Sequence, residues 1–481
     1  NKSIQYELQT TREWQYGFYI HDRWQVNRNL TLTLGLRYEK FPMAKRENRG
    51  MESYDPLGNG TNLVTLCGRG GTPDDCGFEV DHPNFLPRIG IAYRLGENNV
   101  IRGGYGRTVS PSPLSRPLRG FYPLTIANTF PSSNSFTSVS NFQQGIPVFD
   151  GPDRNEAFVE LPGTADMRNV IDTLHRGYID SWNLIYERRL PWDMSLSAGY
   201  VGTKTVNQMG FFNYNASVAG GGQEAKALYA PLGRTGGTYR FDGWLDANYH
   251  SLQVALNKPF SRGLFVKAAY TWSKAMNRTD DEGWSTVGWN DPAAQFKNYS
   301  WAGFDRTHIF QLGWVWEMPF GRDGDGALNA IIRDWSMNGV LGAFVGTPFR
   351  VSSSGASVNS PGNWQSADRV GEIVELGGIG SGNPYYDPSA WAPVTEVRYG
   401  NEGRNSIRGP GVFNIDLGLF RRFPIGSKVN LEIRAEAFNL TNTPHFNNPN
   451  GNVNSSGFMT ITSTNANAPE RQIRFGARVS F

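Results

Sequence analysis

The chain has 481 residues, 39% hydrophobic and 13% aromatic, with 56 glycines and a formal net charge of +3. Mean hydropathy is −0.46, and no run approaches the ~18 apolar residues of a membrane-spanning helix, so no transmembrane helix is expected in these residues. The near-neutral charge carries no nucleic-acid footprint. A soluble chain of this length would divide into about two or three domains, but few apolar residues with much Gly, Tyr, Trp and Phe suit strands that are apolar on one face only.

The first periodic segment, 14–26, puts Tyr16, Phe18 and Ile20 on one face, because side chains alternate with period two; Asp22 shares that face and is expected near its border. Segment 29–39 is cleaner: Leu30, Leu32, Leu34, Leu36 and Tyr38 oppose Thr31, Thr33, Gly35, Arg37 and Glu39. Cys67 and Cys76 follow, bracketing Gly-Arg-Gly-Gly-Thr-Pro-Asp-Asp. The pair reads as a disulfide closing a small loop in an oxidising compartment, with two free thiols as the alternative; a Cys pair alone makes a poor metal site. Strands are next expected at 87–95 and 98–109, the former setting Ile89, Ile91, Tyr93 and Leu95 against Arg88, Gly90, Ala92 and Arg94. Gly103-Gly104-Tyr105-Gly106 in the latter opens no helix and is no phosphate loop. Its glycines suit strand curvature and close packing to a plug.

Further strands are predicted at 178–190, 193–203, 247–258, 262–274, 305–318, 336–349, 412–422, 427–440 and 471–481, about thirteen in all. Within 262–274, Leu264, Val266, Ala268, Tyr270 and Trp272 oppose Phe265, Lys267, Ala269, Thr271 and Ser273. In the last two strands, Val429, Leu431, Ile433, Ala435 and Ala437, then Ile473, Phe475, Ala477, Val479 and Phe481, form the apolar face. Opposite them, Glu432, Arg434, Glu436, Arg474 and Arg478 form a polar ladder. The ladder reads as the lining of a wet lumen, or as a contact for a plug or a passing solute.

The connections decide the architecture. Short turns at 26–29, 95–98, 190–193, 258–262 and 422–427, with a longer one at 319–335, alternate strictly with long segments around 40–86, 110–177, 204–246, 275–304, 350–411 and 441–470. Structureless loops this long are unusual in compact domains, but bacterial outer-membrane barrels have long extracellular loops and short periplasmic turns. The fold class is therefore all-β: an antiparallel transmembrane β-barrel, located in the bacterial outer membrane with the carboxy-terminus in the periplasm. Both terminal strands then descend, which needs an odd number, whereas bacterial single-chain barrels have an even number. Asn1 is not an initiator Met, as in a mature exported protein or a fragment; the strand count favours a fragment lacking at least one earlier strand.

Several stretches carry a family resemblance: YGFYIHDRWQVNRNLTLTLGLRYE (16–39), NFLPRIGIAYRLGENNVIRGGYG (84–106), NYHSLQVALNKPFSRGLFVKAAYTWSKA (248–275), FDRTHIFQLGWVWEMPFG (304–321), GRNSIRGPGVFNIDLGLFRRFPI (403–425) and LEIRAEAFNLTNTPHFNNPNG (431–451). Together they resemble the carboxy-terminal barrel of TonB-dependent outer-membrane receptors, in particular the Oar-like group. The resemblance implies about 22 strands around a plug, of which residues 1–481 supply the carboxy-terminal part, about 13 strands, without the plug and regulatory-like domains. At ~4.8 Å between strands and ~40° tilt, ~22 strands enclose a diameter near ~44 Å, wide enough to need a plug. It also implies uptake of a large or scarce ligand, contact with outer-membrane lipid, energy from TonB–ExbB–ExbD through the plug, and Phe481 as the terminal aromatic signal for the barrel-assembly machinery. A passive porin and an adhesion or structural barrel are the alternatives.

No catalytic, cofactor or metal constellation emerges, so an enzyme is not expected. Asp305 and His308, three apart on a strand, would point to opposite faces and read as a rim hydrogen-bond cluster. Asp323-Gly324-Asp325-Gly326 lacks the remaining ligands of a calcium loop. Asn439-Leu440-Thr441 matches a glycosylation sequon that has no meaning in a bacterial outer membrane. Trp14, Trp24, Trp182, Trp192, Trp272, Trp314 and Trp316 fall near strand ends, as interfacial girdles require. Trp244 and Trp391 are candidates for stacking on a carbohydrate.

Overall fold

The computed structural model describes residues 2–5, 11–46, 51–110, 122–128, 140–145, 151–170, 172–281, 286–321, 326–426, 429–466 and 468–481. One large antiparallel sheet runs through thirteen strands, each paired with its neighbours in chain order. They are β1 (Tyr16–Gln25), β2 (Leu30–Lys40), β3 (Phe85–Leu95), β4 (Asn99–Val109), β5 (Tyr178–Arg189), β6 (Ser195–Asn213), β7 (Thr238–Ser261), β8 (Leu264–Asn277), β9 (His308–Glu317), β10 (Trp335–Phe344), β11 (Val412–Ile425), β12 (Val429–Phe438) and β13 (Gln472–Ser480). Among the described residues, β1 and β13 are the two edges of the sheet.

Two register rows show how the alternation in the sequence becomes a continuous face. Trp24, Leu32, Ile91, Gly103, Leu184, Tyr200, Leu252, Trp272 and His308 face one another in turn from β1 to β9. Val266, Trp314, Gly339, Leu417, Ala437 and Ile473 do the same from β8 to β13. Directly opposed residues project to the same side, so all thirteen apolar sets share one face. That face is uncovered: Ile20 is 73% exposed, Leu184 59% and Phe475 83%. A one-residue slip between any two strands would turn polar side chains into it.

The alternation of short and long connections is present throughout. Strands β7 and β8 are joined by Arg262 and Gly263, both at positive φ. The longest of the short connections, between β9 and β10, carries a helix, α1 (Ala327–Ile332). Asp323, Gly324 and Asp325 of the acidic turn, and Ser427 between β11 and β12, lie outside the described residues.

Two expectations need correction. Strands β6 and β7, of 19 and 24 residues, run well past the predicted ends at 203 and 247. The register shifts at Val206/Gln208 and again at Gln208/Met209, with Asn207 at φ 54°. A bulge of this kind breaks the period-two signal while the pairing continues. Nor are the long connections structureless. Beyond the bulge, Met209, Phe211 and Phe241 form a buried core with Met43, Met51, Val170 and Leu174 from two other long connections. A second core, around Val351, Ala367, Trp391, Ile407 and Met459, joins the connection before β11 to the one before β13.

Candidate functional site

The face opposite the apolar one is a charged wall. Arg102 Nε donates to Glu187 Oε2 at 3.0 Å and Arg422 Nε to Glu432 Oε2 at 3.1 Å. Across β12 and β13, Glu432 is opposite Arg478, Arg434 opposite Gly476 and Glu436 opposite Arg474. The short contacts of this ladder lie elsewhere than between those pairs. Arg434 approaches Glu436 at 3.7 Å along β12, and the Arg474 guanidinium sits 4.9 Å from the centroid of the Phe438 ring. Solvent-exposed pairs of this kind contribute ~0–1 kcal/mol each. The ladder is therefore a charged face of the sheet rather than a source of stability. Phe481 follows β13 and is fully exposed.

A shallow cleft of about 400 Å³ opens on the same wall, lined by Phe265, Val315, Val340 and Phe438 and bordered by Asp416 and Glu436. One register row runs through it: Phe265, Val315, Asn338, Gly418, Glu436 and Arg474. An apolar island thus adjoins the ladder. Its signal in the sequence is an aromatic or β-branched residue out of phase with its strand, as at Phe265 and Phe438. That signal is masked in the sequence because the in-phase residues define the strand.

At the end of the sheet where the long connections lie, they pack into a canopy held by buried polar side chains. Arg234 is fully buried and donates to Thr238 Oγ1 at 2.7 Å, Pro162 O at 3.1 Å and Ala165 O at 2.6 Å. Asp291 accepts from the Tyr399 hydroxyl at 2.9 Å, and that hydroxyl meets Ser360 Oγ at 2.9 Å. Burial is the main cause that pushes the Tyr399 hydroxyl well above the ordinary phenol range. Such groups remain buried because each finds partners, so the Gly, Ser, Asn and Pro of these segments build a folded layer.

The family described as "Outer membrane beta barrel domain" matches residues 1–474. The chain belongs to the outer membrane beta-barrel domain family. The uncovered apolar face of this barrel chain is therefore its lipid face; Trp24, Trp182, Trp272, Trp314 and Trp316 lie on it in register, with Trp24 and Trp316 next to their strand ends and the other three set further in. No curated protein matches the chain. Among solved structures it is similar to the siderophore receptor PiuA from Acinetobacter baumannii, at 11% identity and a TM-score of 0.44, over 97% of this chain and 43% of that one. It is similar to the ferripyoverdine receptor of Pseudomonas aeruginosa at 11% identity and 0.44, over 98% and 39%. The outer membrane transporter YddB from Escherichia coli gives 11% and 0.46, over 97% and 54%. The chain thus spans about half the length of these proteins or less.

The remaining candidate residues of this barrel chain fall as follows. Cys67 and Cys76 form a disulfide, with Cα atoms 5.0 Å apart. Asp305 lies before β9 and not on it, so the opposite-faces argument does not apply. It is buried in an ion pair with Arg408 and accepts from Ala275 N at 2.6 Å, while His308 Nδ1 meets the Tyr270 hydroxyl at 2.8 Å. Gly103–Gly106 lies inside β4, where cross-strand side chains fill the space: a Cβ on Gly103 would meet Ile91 Cγ2 at 3.0 Å. The close packing there is to strand neighbours. Asn439 is buried and ties its own turn, accepting from Thr443 N at 3.0 Å. Trp391 is a correction: only 4% exposed, with Nε1 donating to Glu402 Oε2 at 2.9 Å, it offers no open ring for a sugar. Trp244 is half-buried, donates to Gly210 O at 3.2 Å and packs edge-on against Phe212.

Proposed function

We propose that this chain is the larger part of the barrel of a TonB-dependent outer-membrane receptor of the Oar-like group, importing a large or scarce ligand. The observation that carries this reading is the register row joining the apolar island at Phe265 and Val315 to Glu436 and Arg474. A water-filled pore gains nothing from uncovered aromatic and aliphatic side chains on its wall, whereas a plug or a translocating solute buries them at ~25 cal/mol per Å². The folded canopy supports ligand capture, since a pre-ordered surface spends less free energy on ordering when it binds. Among the described residues β1 and β13 are the edges of the sheet; in this reading further strands of the receptor pair with them, because an edge in lipid leaves backbone groups unpaired. In this reading the canopy is extracellular and Phe481 periplasmic, where the barrel-assembly machinery receives it.

The test is the coding sequence upstream of residue 1 together with photo-crosslinking of the full-length protein to TonB in living cells. A plug domain, a TonB box and a TonB adduct are expected. Absence of all of them in the full-length protein overturns the receptor reading in favour of a passive porin.

A further inference from the structure

One part of the canopy lies over the lipid face of the sheet rather than over its end. The connection between β10 and β11 contains the segment Val370-Gly371-Glu372-Ile373-Val374-Glu375-Leu376-Gly377-Gly378-Ile379, which keeps its large apolar side chains in the open. Val370 is 62% exposed, Val374 46% and Leu376 55%, with Ile373 and Ile379 also uncovered. These are not the side chains of a loose tail. Leu376 N donates to Tyr385 O at 2.8 Å, Asp387 N to Val374 O at 2.9 Å and Gly380 N to Ile461 O at 2.9 Å, while Glu375 and Tyr386 pair as in a hairpin. The Tyr385 hydroxyl donates to Glu375 Oε1 at 2.6 Å. The hairpin is held by its backbone and presents an apolar edge.

Beneath its base is a cleft of about 760 Å³. Its floor is a single register row of the lipid face, Tyr270, Phe310, Ala343 and Phe413, on four adjacent strands. Its roof is Glu375, Tyr385, Tyr386 and Arg408 from the connection. The floor lies within one or two residues of the loop-side ends of β9, β10 and β11, so roughly 3–7 Å inside the strand ends. Arg408 already pairs with Asp305, and its guanidinium lies 4.6 Å from the centroid of the Trp301 ring. The cleft therefore offers apolar walls and a rim of hydroxyl, imidazole and carboxylate groups, with its one cation engaged.

We propose that this cleft holds an acyl chain of a lipid in the loop-side leaflet, and that the 370–379 hairpin edge dips into the same leaflet beside it. Continuity selects the occupant: the floor is an uninterrupted extension of the surface that the family's membrane location places against acyl chains. An apolar groove open to that surface in a bilayer fills with a hydrocarbon chain, because water there would lose hydrogen bonds on every side. The hairpin's uncovered side chains meet the same requirement, since a rigid apolar edge left in water is costly and in the interfacial layer is not. The paired cation makes recognition depend on the chain rather than on an anionic headgroup.

The experiment uses the full-length protein in vesicles containing dibromo-stearoyl phosphatidylcholine. Within residues 1–481 Cys67 and Cys76 are bonded to each other, so with any cysteine outside these residues replaced by serine, L376C can be labelled selectively with bimane, with L57C, in a different connection and 67% exposed, as the reference. Bromine quenching at position 376 is expected to exceed that at position 57 at least twofold. In parallel, A343F fills the cleft floor, and native mass spectrometry is expected to show one fewer retained lipid than in the parent protein. Heat-modifiable migration in gels reports that A343F is folded, and A343V serves the same comparison if A343F is not. Quenching at position 376 no greater than at position 57, or an unchanged lipid count in the folded cleft variant, overturns the proposal.

Discussion

The guanidinium of Arg404 donates to the backbone carbonyl of Asn277 at 2.8 Å, tying the connection before β11 to the end of β8. The same group donates to Asn298 O at 3.0 Å and to the Asn277 side-chain oxygen, and pairs with Asp280 at 3.2 Å. Burial is the main cause holding the guanidinium below its ordinary pKa. R404A would leave three carbonyl oxygens of Asn277 and Asn298 short of a donor, while Asp280, 40% exposed, keeps the donors Asn277 Nδ2 and Gly303 N; stranding buried acceptors in this way costs about 1–3 kcal/mol. The expected outcome is rapid proteolysis within 278–304 and 350–411 in R404A, with the sheet still heat-modifiable. R404K should lie nearer the alanine variant than the parent, because one ammonium cannot span all these acceptors. Parent-like protease resistance in R404A would show that the canopy does not depend on this anchor.

On the lipid face, Trp182 lies across Gly202. A Cβ added at Gly202 would sit 2.6 Å from the indole, and at Gly339 it would sit 2.3 Å from the Trp314 ring. Each ring fills the room left by a missing side chain on the next strand. G202V and G339V should each destabilise the sheet by about 1–3 kcal/mol through overpacking, read as an earlier midpoint in urea unfolding followed by gel mobility. G35A is the control, since its Cβ would meet nothing nearer than 3.5 Å.

His82 predicts a pH response at the start of the canopy. Its Nε2 accepts from Phe41 N at 3.1 Å, and its Nδ1–H is left to donate to Pro83 O at 3.2 Å, an arrangement that requires the neutral ring. Burial is the main cause that lowers its folded pKa. A group whose folded pKa lies below its unfolded value, about 6.5 for His, contributes stability that is full above the unfolded value and is lost as pH falls through the folded one. The protection factor of the Phe41 amide, its exchange rate corrected for the slower intrinsic exchange at lower pH, should therefore fall on acidification below about pH 6.5, and H82Q should flatten that dependence. An acid-insensitive Phe41 protection factor in the parent protein would contradict the assigned role.

The parts of this molecule legible in the sequence are those governed by nearest-neighbour geometry. Leu30 to Tyr38 and Ile473 to Val479 announce their strands because lipid demands an apolar residue at every second position, and the six turn-and-loop alternations follow from the intervals. What escaped was set by distant partners. Arg404, Arg234 and Asp291 look like ordinary loop residues, and only folding brings them to carbonyls and hydroxyls many tens of residues away. The extended ribbon of β6 and β7 was missed because the bulge at Asn207 puts Met209 and Phe211 out of phase with Tyr200. The sequence places Val370 to Ile379 only within a long connection, because the pairing that leaves its apolar side chains uncovered is made with Tyr385 to Asp387 and Ile461.

The Cys67–Cys76 disulfide separates local from global stability. Its loop spans a sequence separation of 9, for which the chain-entropy relation gives about 2.5–3 kcal/mol of constraint on the unfolded segment. Cys67 is buried, and its N–H donates to Met51 O at 2.8 Å, while Cys76 packs on the core formed by Met43, Met51 and Phe211. None of these contacts lies within the lipid-facing part of the sheet. Reduction, or the C67S/C76S pair, should therefore open the 67–76 segment to protease while leaving the urea midpoint of the sheet unchanged within error. A fall in both would mean that the canopy and the sheet unfold as one unit. A fall in neither would mean that Met51 and Phe211 hold the segment without the covalent link.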